Sequence, residues 1–365
     1  LLGAAASVHG TSVVVLTGSA RSAQRREALE AIESGTAGVI VGTHALLEES
    51  VQFARLGLVV IDEQHRFGVE QRAALARRAP DGTHPHVLVM TATPNPRSLA
   101  LAQYGDMDVS ILDEKPLGRK PITTAMVSTA RIEEVLAHLR AAIKTGQQAY
   151  WVCPLVEESN SSSIQSVTNR LKDLQEYYGN DKVSMVHGKM KTEDREKVMT
   201  EFKNSEKMIL VATTVIEVGI DVPDATFMII EHSERFGLSQ LHQLRGRVGR
   251  SDKLSNCLLL YKSPLGENAK KRIEILRDTN DGFVIAEEDL ILRGAGEILG
   301  VKQSGLPYFK IANLNIDRQL LELAKNDANF IIESNILGNT ERGKNLELLL
   351  HLFNKEEALK YLEAG

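Results

Sequence analysis

The sequence predicts an α/β protein of two parallel-sheet lobes followed by a mostly helical region. Three observations carry this. Short apolar, β-branched runs alternate with helical stretches over about the first 260 residues, and strands separated by helices pair in parallel through crossovers. The alternation breaks once, at EKPLGRKP (114–121), where two prolines and a glycine punctuate a charged segment. From about residue 266 the strand signal fades, and Leu and Ile recur at three- and four-residue spacing.

Element by element, 13–17, 39–41, 58–61 and 87–90 read as buried strands, with helices at 20–34 and 69–78 between them. After the break, strands follow at 149–152, 183–186, 208–212, 227–230 and 257–261, again with helices between. The run NSSS (160–163) reads as a polar loop, and 320–332 and 346–362 as helices. The expected domains are lobe one at 1–114, a linker at 115–121, lobe two at 122–264 and a helical region at 265–365.

Composition excludes several classes. The chain's 365 residues suffice for two domains, and 43% hydrophobic with 25% charged residues is an ordinary globular balance. No apolar run approaches the roughly 20 residues a membrane-spanning helix needs, so no membrane partner is expected. Cys153 and Cys257, the only cysteines, each sit in an apolar run. That excludes a disulfide framework and a paired-cysteine zinc site, and it fits a reducing cytoplasm. A net charge of −5 leaves no bulk basic footprint, so nucleic acid would have to be held by a few well-placed contacts. Before Lys144 the only lysines are Lys115 and Lys120, and Asn95 is the only asparagine before Asn160; both types are abundant afterwards. Ordinary variation between lobes accounts for this, or else two segments of different genetic background, which a step in the base composition of the coding DNA would reveal.

Four motifs carry chemistry. In LVVIDEQH (58–65) an apolar strand ends in adjacent carboxylates, at the edge where α/β sheets bind ligands. Asp62 can hold Mg²⁺, usually through water, because this hard cation prefers one or two carboxylates with phosphate oxygens and water. Glu63 is placed to orient or deprotonate a water attacking a γ-phosphate. A helix cap and a solvated acid are the plain alternative. In MTATP (90–94), Thr91 and Thr93 flank a small residue at another strand end, which by itself is equally a turn before proline. In QLHQLRGRVGR (240–250), Arg247 and Arg250 share one face if helical, and the two glycines allow close backbone approach. Paired guanidiniums stabilise charge on a transferring phosphoryl group, whereas a plain basic helix would not carry such glycines cheaply. In VATTVIEVGIDVP (211–223), hydroxyls at a strand end can grip phosphodiester oxygens, and Asp221 can accept a bond from a ribose hydroxyl.

Taken in order, DEQH, TAT, HGKM (187–190), ATTVIEVGIDVP and QLRGRVGR resemble the motif series of the superfamily 2 helicases. The resemblance implies two RecA-like lobes that clamp ATP and Mg²⁺ between them. It makes Asp62 and Glu63 the magnesium and water-activating pair, with His65 and Gln243 in the same catalytic set. Arg247 and Arg250 become arginine fingers from lobe two, and Thr91 and Thr93 couple nucleotide state to strand grip. Thr43, in Gly42-Thr43-His44, is implied to contact a backbone phosphate. Thr213, Thr214 and Asp221 match the linking motif of lobe two.

The stretches IDEQHRFGVEQRAAL, VIEVGIDVPDATFMIIEHSERFGLSQLHQLRGRVGRS and IAEEDLILRGAGEILGVKQSGLPYFKIANL narrow the match to the RecG type. That type implies an ATP-dependent helicase of stalled forks and Holliday junctions. It is expected to act as a monomer on branched duplex DNA, near the nucleoid of a bacterial cytoplasm. The last stretch resembles the translocation motif shared with Mfd, a helical hairpin and loop, and places Arg293, Gly294, Gly296, Glu297 and Gln303 where movement passes to DNA. An Mfd-type translocase and a non-catalytic DNA-binding segment are the alternatives. SGLPYFKIANL favours RecG over Mfd. No stretch fits G-x-x-x-x-G-K-[ST], since Gly188-Lys189 runs into Met190. The resemblance places that phosphate loop, and a DNA-binding wedge domain, upstream of Leu1, so the chain alone is expected to bind ATP poorly and to hydrolyse it negligibly.

Overall fold

The computed structural model describes residues 10–18, 20–48, 50–63, 85–91, 110–112, 114, 116, 118–154, 160–213, 222–299, 318–334 and 340–352. The chain divides into two compact units, one of residues 1–109 with 301–365 and one of residues 110–300.

In the first unit, strand β1 (Ser12–Leu16) leads through helix α1 (Ser22–Glu33) to β2 (Ala37–Gly42), and the two strands pair in parallel. A short 3₁₀ turn (His44–Leu47) follows, then β3 (Leu58–Ile61) and β4 (His86–Val89), a second parallel pair. Leu16, Ala28, Ile32, Ala45, Val51, Phe53, Val59 and Ile61 form one core, so β1, α1 and β3 are joined by apolar burial. The strands expected at 13–17, 39–41, 58–61 and 87–90 are all present within a residue or two. They are not buried on both faces as expected. Side chains alternate across a strand, so Val59 and Ile61 face the core while Leu58 and Val60 are exposed, as are Val87 and Leu88. The helix expected at 69–78 lies outside the described residues.

The second unit is a six-stranded, wholly parallel sheet. Its strands are β5 (Ile122–Ser128), β6 (Gln148–Val152), β7 (Val183–Val186), β8 (Ile209–Ala212), β9 (Ala225–Ile230) and β10 (Ser255–Tyr261). Their order across the sheet is β5-β10-β9-β6-β8-β7. Helices α2 (Ile132–Lys144) and α3 (Asn160–Tyr178) supply one apolar layer, packing Val135, Leu139, Val167 and Leu174 against Ala149 and Trp151. Helices α4 (Thr192–Lys203), α5 (Leu238–Arg245) and α6 (Glu267–Asp278) supply the other, packing Phe202, Leu241 and Ile273 against Tyr150 and Val152. Successive residues of β6 thus point into opposite layers, and the sheet is covered on both faces as parallel sheets require. Helix α7 (Gly282–Leu299) packs on α5 and α6. Two further helices, α8 (Arg318–Glu333) and α9 (Glu341–Leu352), belong to the first unit.

Two sequence expectations are corrected here. The loop expected at 160–163 is the first turn of α3. Asn and Ser suit helix N-termini, and Val167, Leu171 and Leu174 at helical spacing draw the segment onto the sheet. Strand β5 went unrecognised because Thr123, Thr124 and Ser128 dilute its apolar signal. It is an edge strand paired only with β10 and does not need a continuous apolar run. Cys153 and Cys257 are buried and free. Among the described residues no helix is long and apolar enough to cross a membrane.

Candidate nucleotide and nucleic-acid sites

The acidic pair stands where parallel strands end. β3 and β4 run in register from Leu58 opposite His86 to Ile61 opposite Val89, and the Met90 amide donates to the Ile61 carbonyl at 2.8 Å. Asp62, Glu63 and Thr91 therefore leave the sheet at the same carboxyl edge. Glu63 has φ 53°, a left-handed conformation that is strained for a residue with a Cβ. Its amide donates to Asp62 Oδ1 at 2.9 Å, which closes the turn. The geometry thus turns the chain abruptly at the strand end and shields Glu63 Oε2 from solvent, while Asp62 stays exposed. No cluster of three or more metal-ligating side chains occurs among the described residues. A lone exposed carboxylate still fits Mg²⁺, which retains waters and takes its remaining oxygens from phosphate.

The end of β2 is sterically locked. A Cβ on Gly42 would lie 2.4 Å from the Leu16 carbonyl oxygen and 2.7 Å from Leu46 Cγ, so only glycine fits. This packing holds Thr43 extended, with its carbonyl accepting from the Leu46 amide at 3.0 Å and its side chain exposed.

In the second unit, helix α5 stops at Arg245 and carries Gln243, half-buried, on its last turn. Arg247 and Arg250 lie beyond it in a turn, so helical spacing does not align them, contrary to the expectation. Gly249 is the physical reason: its φ is +73°, and a Cβ there would sit 2.7 Å from Ile122 Cγ1. Arg247 is half-buried and Arg250 exposed, with Arg250 Nε donating to the Gly246 carbonyl at 3.2 Å.

Thr213 directly follows β8 and His187 directly follows β7. These strands are neighbours with Val186 opposite Ala212, so the two side chains leave adjacent strand ends. Thr213 is 2% exposed, and neither its hydroxyl nor His187 Nδ1 has a hydrogen-bond partner. Buried polar groups left in this way are uncommon and mark places where a ligand completes the bonding.

Strand order reverses between β6 and β9, the crevice in which open α/β sheets bind ligands. Here it is filled. Glu231, just past β9, accepts from Trp151 Nε1 at 3.0 Å and from Arg170 Nε at 3.0 Å, and Arg170 Nη2 completes a bidentate pair. Burial would raise the Glu231 carboxyl, but the Arg170 guanidinium and the Trp151 N–H more than offset it and hold it below the ordinary carboxylate value. Burial and the same negative charge push the Cys153 thiol upward, so it stays protonated. A buried carboxylate in this crevice repels phosphate.

Arg293, Gly294, Gly296 and Glu297 all lie within α7. His65, Thr93, Thr214, Asp221 and Gln303 lie outside the described residues. Sequence reasoning gave no role to His187, Arg245 or the Arg170–Glu231 pair. The HGKM motif held the signal for His187, and only packing reveals the others.

Family models match three segments: DEAD/DEAH box helicase at 4–101, the helicase conserved C-terminal domain at 130–252, and the C-terminal part of RecG domain 3 at 279–351. The RecG helicase of Pasteurella multocida (strain Pm70) is 50% identical over 314 residues, 86% of this chain and 45% of that protein. That of Streptococcus pneumoniae serotype 4 is 47% identical over 345 residues, 94% of this chain and 50% of that protein. The chain belongs to the RecG-type helicase family. A solved RecG structure bound to a three-way DNA junction is 42% identical with a TM-score of 0.65, covering 88% of this chain and 41% of that one. The RecG-type fold, with its RecA-like α/β units, is therefore shared. The chain spans about half the length of the curated RecG relatives it matches.

Proposed function

We propose that this chain provides motor lobes of an ATP-dependent DNA helicase that remodels branched duplex DNA, including stalled forks and Holliday junctions, in a bacterial cytoplasm. The observation that carries this is the Asp62–Glu63 pair, turned out at a parallel strand edge by a left-handed Glu63, in a chain half identical to RecG helicases. Mg²⁺, when bound, neutralises charge developing on the β- and γ-phosphates. Asp62 holds it through water, and Glu63 orients the attacking water or takes its proton. Arg247 and Arg250 stabilise the transferring phosphoryl charge, with His65 and Gln243 in the same set and Asp221 on the ribose. Thr43, Thr213, Thr214, Arg293 and Gln303 hold DNA, and Thr91 and Thr93 link that grip to nucleotide state. The protein acts as a monomer, near the nucleoid.

The unpartnered Thr213 hydroxyl supports the DNA-contact role, because a phosphodiester oxygen would satisfy it without reading sequence. The test is Glu63→Gln in the full-length protein. ATP hydrolysis on DNA should fall by a factor of about 10²–10⁴ with ATP binding retained, as expected for loss of a general base. Residual hydrolysis within about tenfold of wild type would remove Glu63 from that role.

A further inference from the structure

Helix α5 is fastened to α6 and α7 at both of its ends. At the C-terminal end, the Arg245 guanidinium is 2% exposed. Its Nη1 donates to the Leu276 carbonyl at 2.6 Å and to the Thr279 carbonyl at 2.8 Å, while Nη2 lies 3.2 Å from His242 Nδ1. These carbonyls belong to the last turn and the cap of α6, where the helix cannot satisfy its own acceptors and its dipole is negative. No carboxylate pairs with Arg245 among the described residues, and burial pulls its pKa below the ordinary arginine value. A buried cation is costly to desolvate, so an apolar side chain would serve mere packing at this position better. At the N-terminal end, Ser239 Oγ donates to Asp289 Oδ2 on α7 at 2.5 Å, and Asp289 is itself buried. Between the two tethers, Leu238, Leu241 and Leu244 share a core with Ile273, Leu276 and Ile285.

We infer that Arg245 is a positioning residue, which makes α5 and the arginines following it one body with α6 and α7. Arg247 is two residues beyond the tether, and Gly249 keys the segment against Ile122. A shift of Arg247 and Arg250 on engaging phosphate is then delivered to α7 rather than absorbed at a loose joint. This rests on the reading that those arginines face nucleotide.

The test uses the full-length protein with Arg245→Met, Arg245→Lys and Ser239→Ala. Two quantities are read: amide exchange of α6 and α7 with and without a non-hydrolysable ATP analogue, and ATP consumed per fork unwound. In wild type, α7 exchange should change with nucleotide. Arg245→Met should lose that change and consume about tenfold more ATP per fork, with the KM for ATP within about twofold, a loss in the range of coupling between linked sites. Arg245→Lys should recover part of the coupling, because an ammonium still reaches a carbonyl. Ser239→Ala should give the same defect in weaker form, and with Arg245→Lys it carries the test if Arg245→Met fails to fold. An unchanged ATP-to-fork ratio, or hydrolysis and unwinding lost in parallel with thermal stability, would overturn the inference and make Arg245 a purely structural residue. Absence of DNA-stimulated hydrolysis in wild type would instead overturn the motor reading before any variant is compared.

Discussion

Replacing Glu63 by glycine and, separately, by alanine isolates the strain in the strand-edge turn. Glu63 sits at φ 53°, where a residue with a Cβ loses roughly 1–2 kcal/mol relative to the right-handed region and glycine does not. Both substitutions remove the carboxylate, so its contribution cancels when the variants are compared with each other. Glycine also gives the unfolded chain more freedom, an offset of about 0.4–1 kcal/mol. Glu63→Gly should therefore be more stable than Glu63→Ala by about 0.5–1 kcal/mol. In a unit of this size that moves Tm by only about 1–4 °C, so urea midpoints are the better measure. Trp151, the sole tryptophan, lies in the other unit and does not report on this turn, so amide exchange across β3 and β4 is the probe. In the full-length protein both variants should lose turnover alike. Equal stabilities, or a more stable alanine variant, would show that the positive φ carries no strain, and the claim that this edge gives up stability to aim a carboxylate would fail.

Three further outcomes are expected. Arg170→Met leaves Glu231 buried without its cation and should destabilise the second unit by about 3–5 kcal/mol in urea unfolding followed by Trp151 fluorescence; Glu231→Gln added to it should recover part of the loss. Because the fold depresses the Glu231 carboxyl, its stabilisation is fully present above the ordinary glutamate value of about 4.3 and disappears as pH falls through the folded value, an acid-side loss that the double variant should lack. Thr213→Val should leave stability unchanged or raise it by up to about 1 kcal/mol, since it removes an unpartnered buried hydroxyl. The same change should weaken binding of full-length protein to a junction about fivefold at fixed salt without altering the salt slope, because the lost contact is uncharged; undiminished affinity would take Thr213 out of the DNA interface. Gly249→Ala meets both an unfavourable φ and Ile122 Cγ1 at 2.7 Å, so it should cost about 2–4 kcal/mol, with Ile122→Ala relieving only the steric part; a neutral effect would show that the turn carrying Arg250 is not locked.

The covered parallel sheet of the second unit was legible because its central strands must be apolar on both faces. Trp151, Val152, Val211, Ile229 and Leu259 leave no polar alternation to misread. Edge strand β5 was not legible, since one neighbour and partial exposure let Thr and Ser into it. The Asn160 turn misled for the opposite reason: residues typical of loops are equally typical of helix starts, and only the packing of Val167 and Leu174 decides.

Sequence alone determined the alternation of strands and helices, the strand-end position of Asp62 and Glu63, and the arginine-glycine segment. Each depends on local periodicity or on residue order along one stretch. Tertiary structure decided what depends on groups far apart in the chain. It pairs Arg170 with Glu231 in the switch-point crevice, sets Thr213 beside His187 on neighbouring strand ends, and closes Arg245 over the end of α6. No periodicity encodes these contacts, because a buried charge finds its partner through the packing of layers rather than through spacing along the chain.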